Sequence, residues 1–195
     1  RLERPIPRVA LSATLGELYS IPELLRPNQS LPCETVVSSK DQTTIKLEVK
    51  GYIDPINVQH QDDLDSAEYR ICQELYELCR GGSHLVFANS RKRTESIAAQ
   101  LSDFSELDVV PNEFFPHHGS LSKELREGLE TRLQKEKLPT TAICTMTLEL
   151  GIDIGKVDTV VQVTPPHSVS SLRQRLGRSG RRGSPAVLRM LIAEN

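Results

Sequence analysis

Apolar positions along this chain switch repeatedly between two periods. Thr43 to Ile53, TTIKLEVKGYI, alternates apolar and polar residues with a β-branched bias. That predicts a strand at a sheet edge or with one wet face, and Asp54-Pro55 ends it. From Leu64 to Arg80 the spacing turns helical, with Ala67, Ile71, Leu75 and Leu78 on one stripe and Gly81-Gly82 as the stop. His84 to Ala88 is a short apolar run and predicts a buried strand. Ser90 then caps a helix whose inner face is Thr94, Ile97, Ala98 and Leu101. Val109 to Phe115 contains another strand. The turn His117-His118-Gly119-Ser120 leads into a helix with Leu121, Leu125, Leu129 and Leu133 on one stripe, and Pro139 breaks it. Thr140 to Thr145 and Val157 to Val163 predict two more strands. After Pro165-Pro166, a helical face of Val169, Leu172 and Leu176 precedes a last strand over Ala186 to Ile192.

Ahead of this block, Arg8 to Leu11 is a short strand-like run followed by Ser12-Ala13-Thr14. Residues 17–40, with prolines from Pro22 to Pro32, read as a helical turn or two and a linker. The expected division is therefore 1–40 and 41–195. Strands alternate with helices in the second part, and several strands are apolar throughout. Together these imply a parallel sheet with helices on both faces. Such sheets take ligands at the carboxyl ends of their strands. Ser90-Arg91, His118-Gly119, Thr145 and an arginine turn at 174–182 each follow a strand or a short helix, where that rule places a site.

Composition changes this picture little. The 195 residues are 37% hydrophobic and 26% charged, as in an ordinary globular domain. The net charge of −2 supplies no global basic field, so a nucleic-acid partner has to be met by local patches. None of the four cysteines forms a CxxC pair, and Cys72 and Cys79 share a helical face. Reduced core thiols fit better than a disulfide or zinc. No signal peptide or membrane-length apolar run appears, which gives the expectation of a cytoplasmic chain, nucleoid-associated if bacterial, with no membrane partner. The opening RLERPIPR does not read as a natural start and suggests a piece of a longer protein.

The chemistry concentrates in QRLGRSGRR, Gln174 to Arg182. Its guanidiniums are always charged and fork onto phosphate oxygens, while its glycines allow a sharp turn and close approach. A solvated basic loop is the plain alternative. Ser90-Arg91-Lys92-Arg93 places three cations in a first helical turn, which the helix dipole disfavours unless a phosphate binds there. The His118-Gly119 turn offers free amides at a helix start, and zinc is not expected there because no Cys, Asp or Glu stands at ligand spacing. In TMTLELGIDIG, Gly151 and Gly155 bracket Asp153, whose carboxylate suits a ribose hydroxyl or a simple capped turn. Arg178 and Arg181, three apart, are spaced for two forks on one triphosphate. Arginines brought in this way accelerate phosphoryl transfer by roughly 10³–10⁵-fold. The chain has no GxxxxGK[ST] phosphate loop and no DExx pair for magnesium, so it looks like half of an active site.

The blocks SAT at 12–14, VFANSR at 86–91, HHGS at 117–120, TMTLELGIDIG at 145–155 and QRLGRSGRR at 174–182 resemble, in order, the back half of a superfamily-2 helicase. HHGSLSKELRE and LELGIDIG look most like the Lhr (large helicase-related) branch. The resemblance covers nearly the whole chain. It implies a RecA-like α/β second motor domain, with ATP and Mg²⁺ held mainly by an absent first RecA-like domain of the same parent chain. It further implies that residues 1–40 are the tail of that first domain, carrying the SAT block, and a linker, and that Ser12 and Thr14 couple hydrolysis to strand movement. Ser90, Arg91, His118, Gly119 and Thr145 would grip a single-stranded DNA or RNA backbone. Gly151, Asp153 and Gln174 would face ATP, and Arg178 and Arg181 would be the catalytic arginine fingers, with no metal ligand in this domain. Gln174 replaces a histidine and Leu150 an arginine of the DEAD-box branch, which points to a translocating 3′-to-5′ helicase. Two other readings stay open: a duplex DNA translocase that does not separate strands, and a non-enzymatic nucleic-acid-binding domain. On the helicase reading the fragment alone is expected to be inactive as an ATPase.

Overall fold

The computed structural model describes residues 6–11, 20–26, 32–37, 44–54, 66–135, 137–149, 152–155, 157–180 and 185–194. The chain forms two compact units, 1–42 and 43–195. In the first, a five-residue helix α1 (Ile21–Leu25) has a proline in its opening turn, where the missing N–H costs nothing. Arg26 donates to the carbonyl of Ile6 at 2.9 Å and Arg8 to that of Leu25. The strand expected over Arg8 to Leu11 does not form. Val9 is 83% and Leu11 94% exposed, and three apolar residues with no paired strand among the described residues have no ladder to join.

The second unit is a single sheet. Its elements are β1 (Ile45–Ile53), α2 (Ala67–Cys79), β2 (Ser83–Phe87), α3 (Arg91–Leu107), β3 (Phe114–His117), α4 (Lys123–Lys135), β4 (Thr140–Cys144), β5 (Thr159–Val163), α5 (Val169–Leu176) and β6 (Ala186–Glu194). Strand order is β1-β6-β5-β2-β4-β3, and every neighbouring pair is parallel. Residues in and just after β2 show why the run Leu85 to Ala88 is apolar. Val86 and Ala88 meet Ile71, Leu75, Ile97 and Leu101 of α2 and α3 on one face. Leu85 and Phe87 meet Leu129 and Leu133 of α4 on the other, with Leu172 and Leu176 of α5 beside them. Serine hydroxyls start three of the helices: Ser66 accepts from Tyr69 N, Ser90 from Arg93 N and Ser168 from Ser171 N.

Three expected faces are corrected. The α4 stripe begins at Leu129, because the helix starts only at Lys123 and a four-residue spacing drifts around its axis; Leu125 is 63% exposed. Val169 of α5 is 69% exposed, and the fully covered positions of that helix are Ser171 and Arg175. Of the thiols, Cys33 is exposed rather than part of the core. Cys72, Cys79 and Cys144 are buried and free, and burial pushes Cys72 and Cys79 up to about 12.

Candidate functional site

Five of the expected contact residues line up along the carboxyl edge of the sheet. Ser90 and Arg91 follow β2, Thr145 follows β4, and His118 and Gly119 follow β3, which matches the spatial order β2-β4-β3. The edge is tied together from below. Thr145 N donates to His117 O at 3.2 Å, and Ala88 N donates to Cys144 O at 2.9 Å. Arg91 reaches across to the hydroxyl of Ser120, joining the α3 start to the turn before α4. Ser90 spends its hydroxyl on the helix cap, and Arg93 pairs with Glu68 at 3.3 Å. Gly119 is exposed, and a Cβ there would meet nothing within 4 Å.

The two histidines behave differently from a solvent-facing pair. Both are 1% exposed. His117 holds Thr147 Oγ1 at 2.8 Å with Nδ1 and Glu130 Oε1 at 3.0 Å with Nε2. Burial holds its pKa below the ordinary histidine value, with Glu130 pulling the other way. His118 Nε2 lies 2.9 Å from Glu95 Oε1, at ion-pair distance but without hydrogen-bond alignment. Any contact His118 makes with a ligand at this edge falls to its backbone. Each histidine thus has a carboxylate that sequence spacing did not reveal. Among the described residues no group of three or more His, Cys, Asp or Glu is placed to hold a metal.

A second cluster lies away from that edge, whereas the sequence predicts the arginine turn at the carboxyl ends of the strands with the other motifs. Val157, just ahead of β5, bridges to Ser179, and Gly180 packs against Ala186 at the start of β6. The arginine turn therefore sits by the amino ends of β5 and β6. Arg178 is 8% exposed. Its Nε and Nη2 donate to Glu149 O at 3.2 and 2.8 Å, and its Nη1 donates to Ile152 O at 2.6 Å. The guanidinium thus clasps the two carbonyls of the loop that carries Asp153. Asp153 is exposed and accepts from Gly155 N at 3.3 Å, which is the capped turn anticipated as one alternative. Gln174 is half-buried on α5. Ser12, Thr14, Gly151 and Arg181 lie outside the described residues.

Sequence reasoning missed what holds the two clusters together. Arg175 is 1% exposed; its Nε and Nη2 each lie 2.9 Å from Glu149 Oε2, and its Nη1 donates to Gln162 Oε1. Ser171 donates to the other Glu149 oxygen at 2.5 Å, and the guanidinium stacks 4.7 Å from the Phe87 ring centroid. A cavity of about 310 Å³ opens above it, lined by Asn89, Thr145, Met146, Thr147 and His167 as well as Arg175. The available signals were one glutamine inside the apolar run TVVQV and one glutamate inside LELG.

The family profile for the helicase conserved C-terminal domain matches residues 67–183. The ATP-dependent helicase Lhr-Core of Methanothermobacter thermautotrophicus is 34% identical over 176 residues, covering 89% of this chain and 20% of that protein. The Lhr helicase/probable uracil glycosylase of Mycolicibacterium smegmatis is 32% identical over 209 residues, covering 92% of this chain and 13% of that protein. Among solved structures, Mycobacterium smegmatis helicase Lhr bound to ssDNA and AMP-PNP superposes with a TM-score of 0.75 at 32% identity, over 94% of this chain and 23% of the other. Dbp5 of S. cerevisiae bound to RNA and ADP BeF3 shares the fold, with a TM-score of 0.66 at 22% identity, over 94% of this chain and 44% of that one. This chain spans about a fifth or less of the length of those Lhr relatives.

Proposed function

This chain belongs to the helicase conserved C-terminal domain family, as a superfamily-2, RecA-like domain of the Lhr kind, and we propose from that premise that it is the second motor domain of an ATP-dependent helicase. The parent would unwind DNA, or DNA and RNA, in the 3′-to-5′ direction. ATP enters between this domain and the first motor domain. Ser90, Arg91, Gly119, Thr145 and the His118 backbone hold a single-stranded backbone along the carboxyl edge. Asp153 and Gln174 face the nucleotide, and closure brings Arg178 onto the γ-phosphate. Magnesium would travel with ATP and be held by the first domain. Gly151 and Arg181 at the nucleotide, and Ser12 and Thr14 in coupling, take their roles from motif order alone.

The observation that supports this most is the Arg178 clasp on Glu149 O and Ile152 O. It physically joins the turn that would carry the fingers to the loop that would carry the ribose contact. In this structure carbonyl oxygens of its own domain fill the fork of the buried Arg178, so reaching ATP on closure requires Arg178 to exchange those acceptors for phosphate oxygens. The test is ATP turnover by the full-length parent with and without single-stranded DNA or RNA, followed by strand displacement. Stimulated turnover with displacement supports the proposal. Turnover without displacement would indicate a duplex translocase, and salt-sensitive binding with no ATP effect a plain binding domain.

A further inference from the structure

Burying a guanidinium is costly unless its donors are matched, and apolar residues of similar volume usually serve a core as well or better. Arg175 is nevertheless buried at the centre of this domain, with partners from three separate elements. Glu149 comes from the loop after β4, Gln162 from β5 and Phe87 from β2. Each element leads to a different part of the proposed site. The Glu149 loop begins at Thr145 and continues to Asp153, and its backbone is the acceptor for Arg178. Gln162 passes the link onward, because its Nε2 donates at 2.7 Å to the carbonyl of Thr164. Thr164 has φ 74°, a left-handed conformation rare for a β-branched residue. That residue opens the turn to His167, where Pro165 O accepts from Asn89 at 2.9 Å. Asn89 precedes Ser90, and Asn89, Thr145 and His167 all line the cavity above Arg175.

We propose that Arg175, acting through Glu149 and Gln162, is a positioning residue that keeps the nucleotide-facing turn and the strand-facing edge in register. This rests on the helicase reading above. A hydrophobic plug would fill the same space, but only a planar fork fixes the directions of three elements at once. A charge kept solely for stability has no such geometric requirement.

The test uses the full-length parent and the ratio of ATP turnover with single-stranded DNA to turnover without it. In the double variant Arg175→Met with Glu149→Leu, the charges are replaced together, so neither is left buried and unpaired and the protein should still fold. Its stimulation ratio is expected to fall by about fivefold or more. A smaller fall in the folded double variant overturns the proposal. If that variant does not fold, Arg175→Lys, which keeps the charge but loses the fork, is judged by the same threshold. Should Arg175→Lys also fail to fold, Arg175 is a core strut and the proposal is again overturned. A wild-type parent with no stimulation at all would instead defeat the helicase reading, which keeps the two failures apart.

Discussion

Arg178 grips the backbone of Glu149, with Nε 3.2 Å and Nη2 2.8 Å from its carbonyl oxygen. Among its described residues the loop after β4 has one 3₁₀ turn, Met146–Leu148, and this clasp and the Arg175 pair are two of the contacts that anchor it. Arg178→Ala should lower the stability of the chain by about 2–4 kcal/mol, the scale of charged hydrogen bonds lost from buried carbonyls. Arg178→Lys should recover less than half of that, because an ammonium cannot reproduce the fork. Urea unfolding measures both. An alanine variant as stable as wild type would mean that the clasp contributes nothing.

Two glycines separate structure from ligand approach. Gly180 has φ 72°, and a Cβ there would lie 2.6 Å from Ala186 backbone atoms. Gly180→Ala should cost about 2–4 kcal/mol from the clash and the left-handed backbone together. Gly119 has open space, so Gly119→Ala should change stability by less than about 0.5 kcal/mol. If a nucleic-acid backbone packs against that turn, the same Gly119→Ala change should still weaken single-strand binding by the parent several-fold. Thermal melts and a filter-binding titration distinguish the two. Unchanged strand affinity in Gly119→Ala would remove that turn from the interface.

Stability should fall on mild acidification. His117 and His84 are both held below the ordinary histidine value of 6.5, chiefly by burial. The unfolded chain therefore binds more protons than the folded one just below that pH. Their contribution is complete above pH 6.5 and is lost as pH drops from there through the folded values. Unfolding free energy measured between pH 7.5 and 5.5 should decline, and His117→Gln should flatten part of the slope. An identical slope in the variant would show that His117 takes no part. Glu74 and Glu124, whose pKa values are lowered, act only in more acidic solution.

Thiol chemistry gives an inexpensive check on the core. Of the four cysteines, Cys33 is exposed while Cys72, Cys79 and Cys144 are buried with raised pKa values. A thiol-reactive dye should label one cysteine rapidly under native conditions and the other three only on unfolding. Rapid labelling of two or more would contradict the burial of Cys72 and Cys79 on α2 or of Cys144 on β4.

The parallel sheet was readable in the sequence because its determinants are local. The runs HLVFA and TTAIC are apolar enough to be covered on both faces, and caps such as Ser90 stand directly before their helices. The carboxyl-edge residues followed from the same strand ends. Arg175 was not readable, since the helical stripe of Val169, Leu172 and Leu176 counts only apolar side chains. Its counter-charge Glu149 sits 26 residues back and its amide acceptor Gln162 13 residues back, and only the folded sheet brings them together. The location of the arginine turn was misjudged for a related reason. α5 carries the chain from the carboxyl edge back to the amino ends of the strands, so motifs adjacent in sequence to a strand need not share its edge.

The central claim is that this domain completes a nucleotide site whose floor belongs to another domain. ATP hydrolysis by the full-length parent carrying Arg181→Ala tests it most directly, with ATP binding followed in parallel by a fluorescent analogue. The account expects turnover to drop by roughly a thousandfold or more while binding is largely kept. Near-normal turnover in that variant would contradict it.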